Sequence, residues 1–280
     1  MHQHANLSLV YLECKEANVS VTLTITKSKV ALLVLSRPEK HNAFNSEVIA
    51  ELIQNIEYAS TLDIRALVFK TEGKHFSAGA DLGWMKSMAA NNYQENVADS
   101  MELAKLMHVL ATCPHPTLCL VQGAAFGGAL GLISCCDIAV ATPDAKFCLS
   151  EVKLGLIPAV ISPYVIKAIG ERQARRYFLT AEVFDAEQAL AMGLLHAVSG
   201  DLALSQAHFI DTILNNGPAA VKSAKSLISE VGGHPIDEQL IAHTAKRIAE
   251  IRVSHEGQEG LTAFFEKRSP AWQQNTATKG

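Results

Sequence analysis

Apolar and polar residues alternate in short runs along the first half of the chain, and this pattern predicts β-strands. From Val19 to Ile25 every second residue is apolar, with serine or threonine between, which is typical of a strand with one buried face. Further strands are predicted at Lys29 to Leu35 and Arg65 to Lys70, and a continuously apolar one at Leu118 to Val121.

Between these strands, apolar residues repeat with the period of an α-helix. A first helix is predicted after the loop Asn42 to Asn45, with Asn45 or Ser46 as its N-cap. A second is predicted at Asp99 to Ala111, and it ends before Pro114. The apolar residues of the first helix share one face: Val48, Ile49, Leu52, Ile53 and Ile56.

Strands and helices alternate as far as about Val198, and from Asn216 onward only helical patterns remain. Alternation of this kind is typical of a layered α/β domain. We therefore expect an α/β core over residues 1–200 and a helical region over residues 201–280. The helical region carries an apolar patch at Leu261 to Phe265, so we expect it to pack on its own domain or on a neighbouring subunit.

Two glycine-bearing turns each follow a strand and precede a helix. One is Ser77 to Asp81, and the other is Phe126 to Ala129, in which Gly127 and Gly128 are adjacent. Glycine lets a ligand approach the backbone closely, and the first N–H groups of a helix have no internal partner. Two such turns side by side would aim two N–H groups at one oxygen and form an oxyanion hole. Alternatively, the glycines only permit tight turns, and the spacing does not decide.

Composition and charge exclude several classes of protein. The chain has 280 residues, of which 49% are hydrophobic and 19% charged, so it is globular. The formal net charge of −4 argues against nucleic acid as a main partner. No apolar stretch has the length of a membrane helix, and the N-terminus lacks a secretory signal pattern, so we expect a cytoplasmic protein. The six cysteines form no C-x-x-C pair, which favours buried reduced thiols, and without an H-E-x-x-H pattern no metal is expected.

A dinucleotide-binding module and a peptidase are two alternatives to an oxyanion hole at the glycine turns. A dinucleotide-binding module needs a G-x-G-x-x-G pattern, but here Gly127 and Gly128 are adjacent and the next glycine is Gly131. A peptidase needs a serine and a histidine that face each other. His75 and Ser77 lie two residues apart on an extended segment and therefore point the same way. The sequence argues against both classes.

Four segments, in this order, resemble the crotonase family, which is the enoyl-CoA hydratase/isomerase superfamily. They read HFSAGADLGWMK, VQGAAFGGALGLISCCDIAVA, FCLSEVKLGLIP and GERQARRYFLTAEVFDAEQALAMGLLHAV. The similarity extends over almost the whole chain. The resemblance implies a spiral of ββα units, with a helical C-terminal region that builds homotrimers, commonly paired into hexamers.

The resemblance also implies how an acyl-CoA is bound. Two backbone N–H groups hold the thioester carbonyl, and they correspond to Ala80 in SAGAD and Gly128 in FGGAL. Coenzyme A is part of the substrate, and no separate cofactor is implied. Lys267 in FFEKR corresponds to a residue that often contacts a neighbour's CoA phosphates, and an ordinary solvated lysine is the alternative. Asp81 has the alternative role of capping the next helix. The acyl-CoA pocket is lined by Ala80, Asp81, Leu82 and Gly83.

Hydratases of this family carry two glutamates that flank a catalytic water. The second corresponds to Glu151, which we expect to be the general acid/base; a surface glutamate is the alternative. The first corresponds to Gly131, and a glycine can neither accept nor donate a proton. The water-orienting acid is therefore missing, moved elsewhere, or replaced by the substrate itself.

The expected function is that of an acyl-CoA hydratase, a lyase that adds water across an α,β-unsaturated thioester. The segments GADLGWMK, GAAFGGALGLISCCD and LIPAVISPYVIKAIGERQARRYF most resemble the methylglutaconyl-CoA hydratase branch of leucine and isoprenoid catabolism, whose substrate carries an extra carboxylate. An enoyl-CoA isomerase, which needs only one base, and a decarboxylase are the alternatives within the fold. A non-catalytic acyl-CoA-binding or RNA-binding protein is the alternative from another class.

Overall fold

The computed structural model describes residues 19–274, which fall into two compact units. The first unit contains the described residues up to Cys113 together with Thr117–Gln206. The second contains Pro114–Pro116 together with the described residues from Ala207 onward. Every strand of the described chain lies in the first unit, and the second unit is helical. The prediction of an α/β chain with a helical C-terminal region is confirmed, whereas an oligomerisation role for that region stays a prediction.

The strands of the described chain divide into a large and a small sheet. They are β1 (Val21–Ile25), β2 (Val30–Leu35), β3 (Ala66–Thr71), β4 (Thr117–Val121), β5 (Ala124–Phe126), β6 (Ile138–Ala141), β7 (Lys146–Cys148), β8 (Phe184–Asp185) and β9 (Ala197–Val198). The large sheet has the order β1-β2-β3-β4-β6-β9, and only its β1-β2 pair is antiparallel. The central strands β3 and β4 are buried on both faces.

The small sheet positions the candidate site. It has the order β5-β7-β8, in which β5 and β7 are parallel. Phe126 is paired with Cys148 at the carboxyl ends of these two strands. Because parallel strands end at the same edge of a sheet, the chain segments that follow Phe126 and Cys148 begin next to each other.

Helices connect the strands and make up the second unit. They are α1 (Ser46–Thr61), α2 (Leu82–Ala90), α3 (Tyr93–Ala111), α4 (Gly128–Cys135), α5 (Ser162–Thr180), α6 (Ala186–Ala191), α7 (Leu202–Leu214), α8 (Pro218–Val231), α9 (Glu238–Val253), α10 (His255–Glu266) and α11 (Ala271–Gln274). Short 3₁₀ helices lie at Pro38–Lys40 and Glu151–Leu154.

Helix α1 forms as the sequence predicts. The side chain of Asn45 accepts a hydrogen bond from the Val48 N–H at 3.0 Å and caps the helix. The five apolar residues predicted to share one face of α1 are all buried. This face packs against α3 and β1, so the helical period correctly predicts where α1 meets the core.

The predicted start of α3 at Asp99 is wrong, because the helix begins at Tyr93. Asn92 and Glu95 form a capping box, in which each side chain accepts a hydrogen bond from the backbone N–H of the other, at 3.0 and 2.8 Å. The first turns of α3 are largely exposed, so they show no apolar period. Strand β1 likewise begins at Val21 and not at Val19.

The second unit leaves several large apolar side chains uncovered. Ile241 and Ile248 of α9 are 58% and 54% exposed, and Phe264 and Phe265 of α10 are 76% and 75% exposed. Exposed apolar groups of this size commonly mark an interaction surface. They support the expectation that residues 201–280 pack on another surface.

Candidate active site

The turn from Ser77 to Asp81 is paired with the loop that precedes α1. The Phe44 N–H donates to the Gly79 carbonyl, and the Phe44 carbonyl accepts from the Asp81 N–H, both at 2.7 Å. Ala80 lies opposite Phe44 in this pairing, so its own N–H points away from Phe44. Within residues 19–274 no acceptor takes the Ala80 N–H. It is therefore available to a ligand.

The second turn, at Gly127 and Gly128, connects β5 to α4. The Gly127 N–H donates to the Cys148 carbonyl at 2.9 Å, which continues the pairing of β5 with β7. Gly127 has φ 55° and ψ −123°, a conformation that is strained for any residue with a side chain. Gly128 is the first residue of α4, and its N–H has no acceptor in the described part of the chain. Such an N–H can bind an oxygen that carries negative charge.

Phe44 connects the two turns. Its backbone pairs with Ala80, and its ring lies 3.7 Å from the position that a Cβ on Gly128 would occupy. The turns also touch directly, because a Cβ on Gly79 would lie 3.1 Å from the Phe126 carbonyl oxygen. Phe44 is only 2% exposed, so its packing fixes the spacing of the turns. They lie side by side, as a pair of N–H donors requires. No pattern in the sequence marks Phe44, although it is the only aromatic residue of the loop Asn42 to Asn45.

Asn42 holds the loop that leads into the first turn. Its side-chain oxygen accepts from the Arg37 N–H at 2.7 Å, and its amide group donates to the carbonyls of Glu72 and His75, both at 2.8 Å. Asn42 is fully buried and has φ 53°, a left-handed conformation in which asparagine is enriched. No pattern in the sequence indicates this role, because two of the partners are backbone atoms 30 and 33 residues away.

Glu151 lies beside Gly127. It begins the 3₁₀ helix after β7, and its Oε1 lies 3.3 Å from the position that a Cβ on Gly127 would take. Its Oε2 is buried, with no hydrogen-bond partner among the described residues. Burial raises the pKa of the Glu151 carboxyl, and a hydrogen bond from its own backbone N–H opposes this. A half-buried carboxyl group of this kind is suited to accept and return a proton, unlike a fully exposed surface glutamate.

Gly131 is buried in α4, and there is no room for a side chain on it. A Cβ at this position would lie 2.3 Å from Ile161 Cγ2 and 2.9 Å from Met107 Sδ, and Cβ atoms essentially never approach other atoms so closely. The resemblance to the crotonase family implies that an acid is missing at position 131. Only the structure shows that Ile161 and Met107 fill the space.

Asp81 caps α2, as the alternative interpretation of this residue predicts. Its carboxylate accepts from the N–H groups of Gly83 and Trp84, at 2.7 and 3.3 Å. Burial works to raise the pKa of Asp81, but these hydrogen bonds and nearby positive charges outweigh it and lower the pKa. Leu82 is 76% exposed at the start of the helix. A role of residues 80–83 in binding acyl-CoA stays a prediction.

Ser77 and His75 have structural partners. The Ser77 hydroxyl accepts from the Gly79 N–H at 3.1 Å, and His75 Nδ1 accepts from the Ala124 N–H, also at 3.1 Å. Ser77 is completely buried. These contacts stabilise the first turn and agree with the sequence argument against a peptidase.

The structure bears on four further expectations. Lys267 ends α10 in the second unit and is exposed, and its role in binding CoA phosphates stays a prediction. Within residues 19–274 no group of three or more histidine, cysteine, aspartate or glutamate side chains is arranged to hold a metal ion. None of the described helices is both long and apolar enough to cross a membrane. The described cysteines are buried and free, whereas Cys14 lies outside the described residues.

Comparison with known proteins places these features in a wider group. Residues 25–275 match the family described as enoyl-CoA hydratase/isomerase. The structure is similar to the crystal structure of an enoyl-CoA hydratase from Shewanella pealeana, with a TM-score of 0.88, 53% identity, and coverage of 91% of this chain and 96% of that chain.

Two curated relatives carry different activities in their names. The chain is 32% identical over 249 residues to the enoyl-CoA hydratase AKT6-1 of Alternaria alternata, which covers 86% of this chain and 80% of that protein. It is 30% identical over 259 residues to a mitochondrial Delta(3,5)-Delta(2,4)-dienoyl-CoA isomerase of Dictyostelium discoideum, with 88% of each chain covered. The relatives thus include both a hydratase and an isomerase.

Proposed function

Because the chain belongs to the enoyl-CoA hydratase/isomerase family, we propose that it is a hydratase of carboxylated enoyl-CoA thioesters such as 3-methylglutaconyl-CoA. The observation that carries this proposal is the site around α4. The N–H groups of Ala80 and Gly128 have no acceptor in the described chain. Beside them, Glu151 has a raised pKa and an unpartnered Oε2.

In the proposed reaction the two N–H groups bind the thioester oxygen, and Glu151 transfers the proton. The Glu151 carboxylate takes a proton from water, and the hydroxide adds to the β-carbon of the double bond. The electron pair of the double bond moves onto the thioester oxygen, where the N–H groups of Ala80 and Gly128 stabilise the enolate. Glu151 then returns the proton to the α-carbon, so one water is added in total. Each N–H donor of such a site is worth about 3–4 kcal/mol of barrier.

The substrate's own carboxylate is proposed to replace the missing acid. Position 131 has no room for a side chain, so Glu151, which lies beside Gly127, acts without a second carboxylate from α4. A water that must be oriented needs a second acceptor. A carboxylate on the acyl group would supply it.

The proposal extends to the remaining parts of the substrate and to assembly. We propose that residues 80–83 line the acyl-CoA pocket and that Lys267 binds CoA phosphates. Coenzyme A is part of the substrate, and the proposed reaction requires no further cofactor. The exposed Phe264 and Phe265 support assembly into a homotrimer or hexamer. We also propose that the protein acts in the cytoplasm.

An enoyl-CoA isomerase is the second candidate, and the packing at Gly131 favours it specifically. Isomerisation needs one base that moves a proton from the α-carbon to the γ-carbon, which Glu151 alone provides. The apolar Ile161 and Met107 beside Gly131 would exclude water. Both candidates therefore depend on Glu151, and they differ in whether water is added.

The test is an assay of purified protein with 3-methylglutaconyl-CoA and with crotonyl-CoA, in which products are identified by mass. The mass of one water should be gained, with a preference for the carboxylated compound. Glu151→Gln should lower kcat by about 10²–10⁴-fold, whereas Glu187→Gln, at an exposed position of α6, should not change it. An unchanged product mass with a shifted double bond would indicate an isomerase, and loss of carbon dioxide a decarboxylase.

A further inference from the structure

The space over Gly131 is filled by two apolar side chains from separate parts of the chain. Ile161, directly before α5, is 2% exposed, and Met107 of α3 is 0% exposed. Atoms of both lie 2.9 Å or less from the position of a Cβ on Gly131. Met107 Sδ also lies 3.8 Å from Cys135 Sγ, one turn further along α4. We call Ile161 and Met107 the apolar plug.

The apolar plug and Glu151 cover neighbouring parts of α4. Residues three and four apart are neighbours on a helix surface, so Gly131 follows Gly127 and Gly128 along one face. Glu151 lies over Gly127, and the apolar plug lies over Gly131. An isoleucine has no polar atom, and a methionine sulfur is only a weak acceptor. The apolar plug therefore cannot hold a water as a carboxylate does.

We infer that Ile161 is a specificity-determining residue of this site, and this inference rests on the proposed function. By filling the space over Gly131, Ile161 excludes a second protein carboxylate. The attacking water is then held by Glu151 and by the carboxylate of the substrate. A neutral enoyl-CoA lacks that second acceptor and is hydrated more slowly. Removing the Ile161 side chain and adding an acid at position 131 moves the water-holding group from the substrate to the protein.

The test compares kcat/KM for hydration of 3-methylglutaconyl-CoA with kcat/KM for crotonyl-CoA. In the double variant Gly131→Glu/Ile161→Ala, kcat/KM for crotonyl-CoA should rise. The ratio of the two kcat/KM values should therefore fall about tenfold or more, since one hydrogen bond to a charged group contributes such a factor. The matched control is Val165→Ala, which truncates a fully buried residue one turn further along α5. It should leave the ratio unchanged.

A second variant covers the case in which the double variant does not fold. Ile161→Thr places a hydroxyl group in the apolar plug, and it should also lower the ratio of kcat/KM for 3-methylglutaconyl-CoA to kcat/KM for crotonyl-CoA. A folded variant of either kind that keeps the wild-type ratio overturns the inference. Thermal unfolding of Gly131→Ala provides a readout that needs no substrate, and an unchanged Tm would show that the apolar plug does not exclude side chains.

The assay separates failure of this inference from failure of the proposed function. A wild-type protein that hydrates both substrates equally well overturns the role of Ile161 and the preference for a carboxylated substrate, but it leaves the hydration reaction and the role of Glu151 intact. A wild-type protein that hydrates neither substrate overturns both.

Discussion

Gly127 and Gly131 lie four residues apart at the start of α4. At each position a close neighbour occupies the space that a side chain would need. At Gly127 the neighbour is a carboxylate, with Glu151 Oε1 3.3 Å from the position of a Cβ. At Gly131 the neighbours are apolar, with Ile161 Cγ2 at 2.3 Å and Met107 Sδ at 2.9 Å. One glycine makes room for a group that can transfer protons, and the other makes room for side chains that cannot.

This contrast shows that the same residue type has two different functions within one turn of helix. Position 127 also requires glycine because of its backbone conformation, since its φ of 55° lies in the left-handed region. Gly131 has helical backbone angles and needs its glycine only for space. We therefore expect substitutions at Gly127 to change catalysis and substitutions at Gly131 to change stability first.

Among substitutions at the two glycines, the largest effect on the reaction rate is expected for Gly127→Ala. The added Cβ is strained at this φ, and the Glu151 carboxylate must shift by a few tenths of an ångström to accommodate it. A misplacement of about 1 Å typically costs about 10²-fold in rate, so we expect kcat, measured by steady-state hydration, to fall by up to this factor. Gly200→Ala is the control, since a Cβ on Gly200 meets nothing within 4 Å. An unchanged kcat in Gly127→Ala would show that Glu151 does not depend on this contact.

The next effect is a loss of stability in Gly131→Ala. Overpacking a buried site typically costs about 1–3 kcal/mol, and we expect the free energy of unfolding in urea to fall by this amount. The added methyl group meets Ile161, so the effect should be smaller when Ile161→Ala is also present. If the two substitutions are additive in a double-mutant cycle, they do not share this contact.

A third prediction concerns the pH dependence of hydration. Burial raises the pKa of Glu151 above the ordinary glutamate value of 4.5, and the carboxylate form is the one that accepts the proton of water. We therefore expect kcat/KM to fall as the pH is lowered through this raised pKa. The pH profile of kcat/KM checks this, and an inflection at or below 4.5 would contradict the role of burial.

The smallest effect is on the pH dependence of stability. Between the pKa of Glu151 in the unfolded chain and its raised pKa in the folded protein, the folded protein binds more protons. Stability therefore decreases as the pH rises through that interval. Glu151→Gln removes the effect, so the variant should be more stable than the wild type at neutral pH, and its advantage should vanish in acid. Tm values measured across this pH range test the prediction, and a constant difference would refute it.

The patterns of the sequence correctly predict most of the features that depend on neighbouring residues. The apolar period locates α1 and its buried face, and Asn45 is its N-cap as predicted. The glycine turns at residues 77–81 and 126–129 both lie where the sequence predicts them. The start of α3 was misplaced, because its first turns are exposed and are stabilised by the cap of Asn92 and Glu95.

The sequence could not predict contacts between distant segments. Phe44 joins the two turns, and Asn42 binds backbone atoms 30 and 33 residues away. Neither role leaves a periodic pattern, because each residue acts singly through one packing contact or a few hydrogen bonds. The burial and raised pKa of Glu151 likewise depend on which segments surround it.

The sequence by itself determined the α/β class and the two glycine turns, and its resemblance to a known family implied a role for Glu151 and the absence of an acid at position 131. Only the tertiary structure decided how those turns meet and what occupies the space of the missing acid. The reason is physical: periodicity and turn chemistry act over a few residues, whereas the space beside a glycine is set by helices from elsewhere in the chain. Beside Gly131 that space is occupied by Met107 of α3 and by Ile161, directly before α5. These residues lie 24 and 30 residues away in the sequence.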